Sequence, residues 1–450
     1  MNRIAEILRE GPQRRLAQAD RVIDLCRKMY PVKGLIVSPD ITRAFAQLKA
    51  AYPEIEIHSY PTGATAEDWE VPMSWEAVKG IVKAEDGRVL ASLDESFLMV
   101  AAYSEPVNGW FSKAEIAKRV RTDRNHPQSY SLEHRNAYNH ALVDWGITLP
   151  DAVWEAMPED GRFHVEIETR VKPGVLQVAS AVLPGRRPET ICLCSQFDEL
   201  CNDGQSSAVF AAELIEHLKT WKDREFTYHV LLVPEMFGTL FFAHHNKELL
   251  DRTVAMFNLE TLGAGRQWTL KKALRHGGSL EQALEAAFVA ARVPFAVADY
   301  FGAFSNDERV YGWPNLGIPG PALQRHPFDD YHTQADTPDI LDRKFLAEAF
   351  LLCELTLAIL EANTILKFNG RLPPWLTKHN LYFDATRDPE RYRKFNSELL
   401  YNIDGTRSLL RLANEIGVPI DALSTYMDQF KAKNLLGGRP LTFAELRQGA

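Results

Sequence analysis

Ile191-Cys192-Leu193-Cys194-Ser195-Gln196-Phe197-Asp198 is a short apolar run that ends in polar groups. Asn202-Asp203-Gly204-Gln205-Ser206-Ser207 follows it at the head of a helical stretch. A run of this length without alternation reads as a strand buried on both faces. Two later runs behave alike, because Val230-Leu231-Leu232-Val233-Pro234-Glu235 and Met256-Phe257-Asn258-Leu259-Glu260 each end in a carboxylate. Tyr331-His332-Thr333-Gln334-Ala335-Asp336-Thr337 then adds a histidine. In an open α/β sheet the carboxyl ends of the strands share one crevice, and ligands bind there. Asp203, Glu235, Glu260 and His332 are therefore expected to meet.

Working outward, strands alternate with helical stretches such as 206–221 and 280–291, from about 163 to 369. That alternation predicts an α/β fold, a mainly parallel sheet with helices on both faces. Upstream, 13–29 and 40–52 carry helical spacing, and 54–60 alternates like a half-buried strand. At Pro61-Thr62-Gly63 the texture changes to short β-like runs, among them 89–93 and 97–100. The reading is an α/β domain of 1–60 and 156–370, interrupted by a small β-rich domain at 61–155 that overhangs the crevice as a lid. After Leu372-Pro373-Pro374, residues 385–450 read as a helix closed by Gly417, a second helix, and a glycine turn at 434–438. That order resembles a winged helix.

Composition narrows the partners. At 46% hydrophobic and 25% charged the chain reads as a globular protein, and no apolar run approaches the ~18 residues of a membrane span. The N-terminus soon becomes charged and lacks a secretory apolar region. An odd five cysteines, three of them at Cys192, Cys194 and Cys201, predict a reduced, cytoplasmic protein. A net charge of −9 argues against nucleic acid as a partner. The expected partner is a small-molecule or short peptide-like substrate, with a homo-oligomer left open.

The motifs, in this order, resemble the co-catalytic zinc aminopeptidases of metallopeptidase family 28. Gln196-Phe197-Asp198 stands for that family's His-x-Asp, Asp203 through Ser207 for Asp-x-x-Ser-Gly, and Pro234-Glu235 for Glu-Glu. Asn258-Leu259-Glu260 stands for Asn-Leu-Asp, and Tyr331-His332-Thr333 matches directly. A narrower resemblance, to bacterial aminopeptidase-like proteins of the DUF4910/DUF2172 type, covers nearly the whole chain. It rests on Tyr60-Pro61-Thr62-Gly63, Tyr103-Ser104-Glu105-Pro106-Val107, Asp144-Trp145-Gly146, Val233-Pro234-Glu235, Asp307-Glu308-Arg309 and Tyr331-His332-Thr333.

The resemblance implies metal ligands at Asp203, His332, Glu260 and position 196, with Glu235 as ligand or general base. It implies Asp198 as the group that orients a ligand. The candidates for holding substrate are Arg309, Asp307 and Tyr331, with Arg309 able to grip a substrate carboxylate in a bidentate fork. Gln196 departs from it, because a carboxamide is a poor zinc ligand where the family has imidazole. One divalent metal at most is expected, zinc by resemblance, with a metal-free site as the alternative. Three functions follow: a metal-dependent hydrolase of an amide bond in a small aminoacyl substrate, a binding module that has lost its metal, or a glutaminyl-cyclase-like acyl transfer. Plainer readings compete at single residues. Asp203 can be a helix cap, His332 a structural histidine, Asp307-Glu308-Arg309 an ion pair, and Cys194 and Cys201 inert buried thiols.

Overall fold

The computed structural model describes residues 2–134, 138, 143–197 and 200–449. Its central sheet has eight strands: β1 (Glu56–Pro61), β2 (Val175–Leu183), β3 (Thr190–Gln196), β4 (Thr227–Val233), β5 (Thr253–Glu260), β6 (Trp268–Lys271), β7 (Phe295–Ala298) and β8 (Ala322–Arg325). Their order across the sheet is β1-β2-β4-β3-β5-β8-β6-β7. The four in the middle, β4, β3, β5 and β8, run parallel, as do β6 and β7. β1–β2, β2–β4 and β6–β8 pair antiparallel. The fold is mixed α/β with a mainly parallel central sheet.

Successive side chains of a strand face opposite ways, and β3 shows what covers each side. Ile191 and Leu193 pack with α1 (Gln13–Met29), α2 (Pro39–Ala51), α3 (Gln205–Leu218), α5 (Ser279–Ala291) and α6 (Arg343–Ala362). Cys192 and Cys194 pack with α4 (Phe237–His245), the short helix Glu308–Tyr311 and a second, β-rich layer. Both faces being covered, all of β3, β4 and β5 is buried.

The second layer is a four-stranded antiparallel sheet ordered Val89–Ser92, Ser74–Ala84, Arg162–Lys172, Val107–Ser112. The run at 163–167, read from sequence with the main sheet, is thus the long strand of this one. Its alternating burial is that of a sheet with one covered face. The β-like run at 97–100 is instead a 3₁₀ turn, Phe97–Met99, where the Ser96 hydroxyl accepts the Leu98 N–H. A segment of this layer reaches the crevice. Leu132 N–H donates to His332 O at 2.8 Å, and Gln334 N–H to Tyr130 O at 3.0 Å.

In the tail, α7 (Leu409–Ile416) ends at Gly417, φ +66°, and α8 (Ile420–Ala432) follows. Residues 436–440, read as a turn, form a strand of a three-stranded sheet whose middle strand is Thr364–Phe368, contributed from before the tail. Leu410, Leu423 and Phe430 belong to the same apolar cluster as Val22 of α1 and Leu352 of α6. Asn2, at the start of helix Arg3–Arg9, donates to the Ser424 hydroxyl of α8 at 3.2 Å. Among the described residues no helix is long and apolar enough to cross a membrane.

One core position is costly. His229 on β4 is fully buried, and neither ring nitrogen has a hydrogen-bond partner among the described residues. Burial, and then the nearby His58, lower its pKa to about 3. The unfolded chain binds a proton at this ring below about 6.5 that the folded chain refuses until about 3, so this histidine makes stability fall as pH drops across that window. His229→Leu is expected to gain about 1 kcal/mol at neutral pH, by removing an unpaired buried polar group, and to flatten the acid side of the stability curve. Urea unfolding at pH 5 and pH 7 measures both; a loss of stability at both would refute the account.

Candidate active site

The cluster forms where β3, β4 and β5 end. Gly204, at φ +124°, begins α3, and no side chain caps that helix. Asp203 is therefore not its cap. Its Oδ1 accepts from Gln196 Nε2 at 2.9 Å, and its Oδ2 lies 3.0 Å from His332 Nε2. The loop is held from below by Asp336, whose carboxylate accepts the N–H groups of Asn202 and Asp203 at 2.6 and 2.9 Å. Asp336 is fully buried, which pushes its carboxyl up to about 8.

Each neighbouring turn holds a strained backbone. Met236 after Glu235 has φ +60°, Thr261 after Glu260 has +48°, His332 has +58°, and Ile36 beside Leu35 has +60°. Such angles are costly for branched side chains and gather at functional sites. Here they turn the chain sharply at the strand ends, so that consecutive side chains can face one hollow.

That hollow is a cavity of about 260 Å³ lined by Gln196, Asp203, Glu235, Arg309, Tyr331 and His332, together with Leu35, Leu132, His134, Tyr138, Leu200, Ser305 and Asn306. Six of the residues expected from sequence thus meet. Glu260 lies behind it, fully buried, its Oε1 accepting from Asn306 at 2.5 Å and its Oε2 unpartnered among the described residues. Asp198 lies outside the described residues. Asp307, expected to touch substrate, is buried and turned away: its Oδ1 accepts from Met236 N–H at 2.9 Å and the Thr239 hydroxyl at 2.5 Å. Glu308 is ion-paired with buried Lys271. Cys194 and Cys201 are buried off the cavity, and burial pushes both thiols well up.

Among the lining residues not picked out from the sequence, His134 and Tyr138 carry ionisable side chains. His134 stacks on His332, ring centroids 5.0 Å apart, and Tyr138 donates to Glu235 Oε2 at 2.7 Å. Both come from the 61–155 region. Glu-His and Ala-Tyr carry no motif, and only the pairing of 130–132 with 332–334 reveals them.

Burial dominates the electrostatics. It raises the carboxyls of Glu235 and Glu260, with Asp203 adding to both; Tyr138 opposes this at Glu235. Burial lowers His134 to about 4, so its ring is neutral at pH 7. Three carboxylates thus crowd one spot, and two acceptors beside them, Glu260 Oε2 and Gln196 Oε1, are buried and unpartnered among the described residues. An oxygen-rich, negative set of this kind, with one imidazole, suits a single divalent cation. Among the described residues no three His, Cys, Asp or Glu groups stand gathered as a ready coordination shell.

Comparison with known proteins places the fold. A model of the family described as a domain of unknown function (DUF4910) matches residues 23–363. A search of curated proteins finds no match. Among solved structures, a "putative peptidase" from Clostridium acetobutylicum superposes with a TM-score of 0.81 at 21% identity, covering 95% of this chain and 98% of that one. BSAP, a zinc aminopeptidase from Bacillus subtilis, gives 0.57 at 12% identity over 77% of this chain and 95% of its own. An aminopeptidase from Aneurinibacillus sp. strain AM-1 gives 0.53 at 12% identity over 78% and 95%. At these identities the likeness is one of fold.

Proposed function

The chain belongs to the DUF4910 family, and we propose that it is a hydrolase of the amide bond in a small aminoacyl or peptide-like substrate, aided by one divalent cation. The observation that carries this is the convergence of Asp203, Glu235 and His332 on one cavity, with a Glu260 oxygen behind it that has no partner among the described residues. Asp203, His332 and Glu260 would hold the ion. When bound, it polarises the scissile carbonyl and acidifies water. Glu235 accepts the proton of the attacking water and passes it to the leaving amine, so that water adds across the C–N bond. Tyr138 orients the Glu235 carboxylate, and Leu132 and His134 line the cavity beside it.

One observation favours a second reading, a metal-free binding module: both oxygens of Asp203 already meet nitrogen atoms of this chain. Zinc titration followed by native mass spectrometry separates the two. The hydrolase reading expects one equivalent of zinc, lost in Asp203→Asn, and zinc-dependent release of amine from aminoacyl anilides. No bound zinc and no release would leave the binding module.

Gln196→His is a further test of the same site. It places a nitrogen ligand beside Asp203, and zinc affinity is expected to rise by about tenfold or more. An unchanged dissociation constant in a folded variant would count against a cation at Asp203.

A further inference from the structure

We infer that the cavity takes a ligand of about dipeptide size whose free α-carboxylate is held by Arg309, resting on the proposed function for the same cavity. Arg309 is the one Lys or Arg among the described lining residues. Its side chain is exposed at the mouth, and its guanidinium has no hydrogen-bond or ion-pair partner among the described residues.

Its backbone, by contrast, is firmly set. Asp307 and Glu308, immediately before it, are both fully buried. Asp307 is tied to the Met236 N–H and Thr239 at the head of α4, and Glu308 to Lys271 of β6. Met236 is the residue after Glu235. The Asp307 bond therefore fixes the segment bearing Arg309 to the turn bearing Glu235. A local Asp-Glu-Arg ion pair does not explain this arrangement, because Asp307 bonds the Met236 turn and Glu308 bonds Lys271, and neither pairs with Arg309 among the described residues. A free, pre-positioned guanidinium fork matches a planar carboxylate through two parallel N–H···O bonds.

The cavity is thus bipolar. Asp203 and Glu235 line it together with Arg309, which lies near enough to Glu235 to act on its charge. A ligand with an amine or amide at one end and a carboxylate at the other meets both. The volume, about 260 Å³, lies below the usual range for drug-sized ligands of roughly 300–1,000 Å³, which limits the length. An aminopeptidase that reads only the amino end has no use for this arginine. Arg309 makes the carboxyl end, and with it the total length, part of recognition.

The test is isothermal titration of the purified full chain, with chelator present so that metal-dependent cleavage is silent. The ligands are alanyl-leucine, alanyl-leucine amide and alanyl-glutamate amide. The free acid is expected to bind about 10- to 100-fold more tightly than its amide. Arg309→Gln is expected to erase that difference, and Arg309→Lys to restore part of it, with unchanged melting temperatures. Equal affinity for acid and amide, or an acid preference that survives in Arg309→Gln, overturns the inference. Tight binding of alanyl-glutamate amide overturns the α-carboxylate assignment. Because binding is read without turnover, failure of the hydrolase reading shows separately, as absence of zinc-dependent cleavage.

Discussion

Glu354→Ala is expected to destabilise the chain by about 3–5 kcal/mol, the usual cost of removing one partner from a buried ion pair. Glu354 lies in the middle of α6 and is fully buried. Its oxygens accept from Arg14 Nη1 and Nη2 at 2.9 and 2.8 Å, and from Arg15 Nε and Nη2 at 2.9 and 2.8 Å. Arg15 is itself only 3% exposed. Alanine would leave that guanidinium buried with Glu10 as its one remaining ion-pair partner among the described residues and a long bond to the Ile7 carbonyl. The same network fastens α1 to α6, two of the helices that cover one face of the sheet. Urea denaturation gives the free energy. A midpoint equal to wild type would show that the pair is solvated in solution. Replacing Arg15 and Glu354 together by apolar residues should recover much of the loss, since a well-packed apolar pair is often as stable as a buried ion pair.

The core of the fold was legible because β3, β4 and β5 are covered on both faces, and such strands carry unbroken apolar runs. The site was legible where a carboxylate ended one of those runs. Other parts obey longer-range rules. The run at 163–167 alternates, which shows that one face is covered but not by which sheet, so local pattern alone misplaced it. The strand at 436–440 contains Gly437 and Gly438, which read as a turn, yet it pairs with Thr364–Phe368. Asp203 before two serines looks like a helix cap, but the helix begins after Gly204, and the Asp203 carboxylate instead lies 3.0 Å from His332, some 130 residues away. His134 and Tyr138 sit in a segment without periodicity and reach the cavity through one short backbone pairing.

Glu235→Gln is expected to lower the rate of amide hydrolysis by about 10²- to 10⁴-fold while leaving the fold intact, the range typical of losing a general base. Glutamine keeps the shape of the side chain and its acceptor toward Tyr138, but it cannot take a proton from water. Burial, with Asp203 adding to it, holds the Glu235 carboxyl above its ordinary 4.5. The catalytic, charged form therefore gains population only as pH rises through that elevated value, and the acid limb of the rate profile should lie above pH 4.5. Tyr138→Phe removes the donor that favours the charged form and should move the limb higher still. The stability consequence runs the other way. A carboxyl with a raised folded pKa stabilises the fold while protonated, and that contribution disappears as pH climbs through the folded value. At pH 8 Glu235→Gln should thus be at least as stable as wild type, although nearly inactive. Steady-state rates from pH 5 to pH 9 and urea unfolding at pH 8 check both halves. A variant that hydrolyses aminoacyl anilides as fast as wild type would remove Glu235 from the chemistry. One that is inactive because it is unfolded would make the residue structural. A stable, folded, inactive Glu235→Gln that still binds one equivalent of zinc is the result that the general-base role accounts for and a ligand role does not.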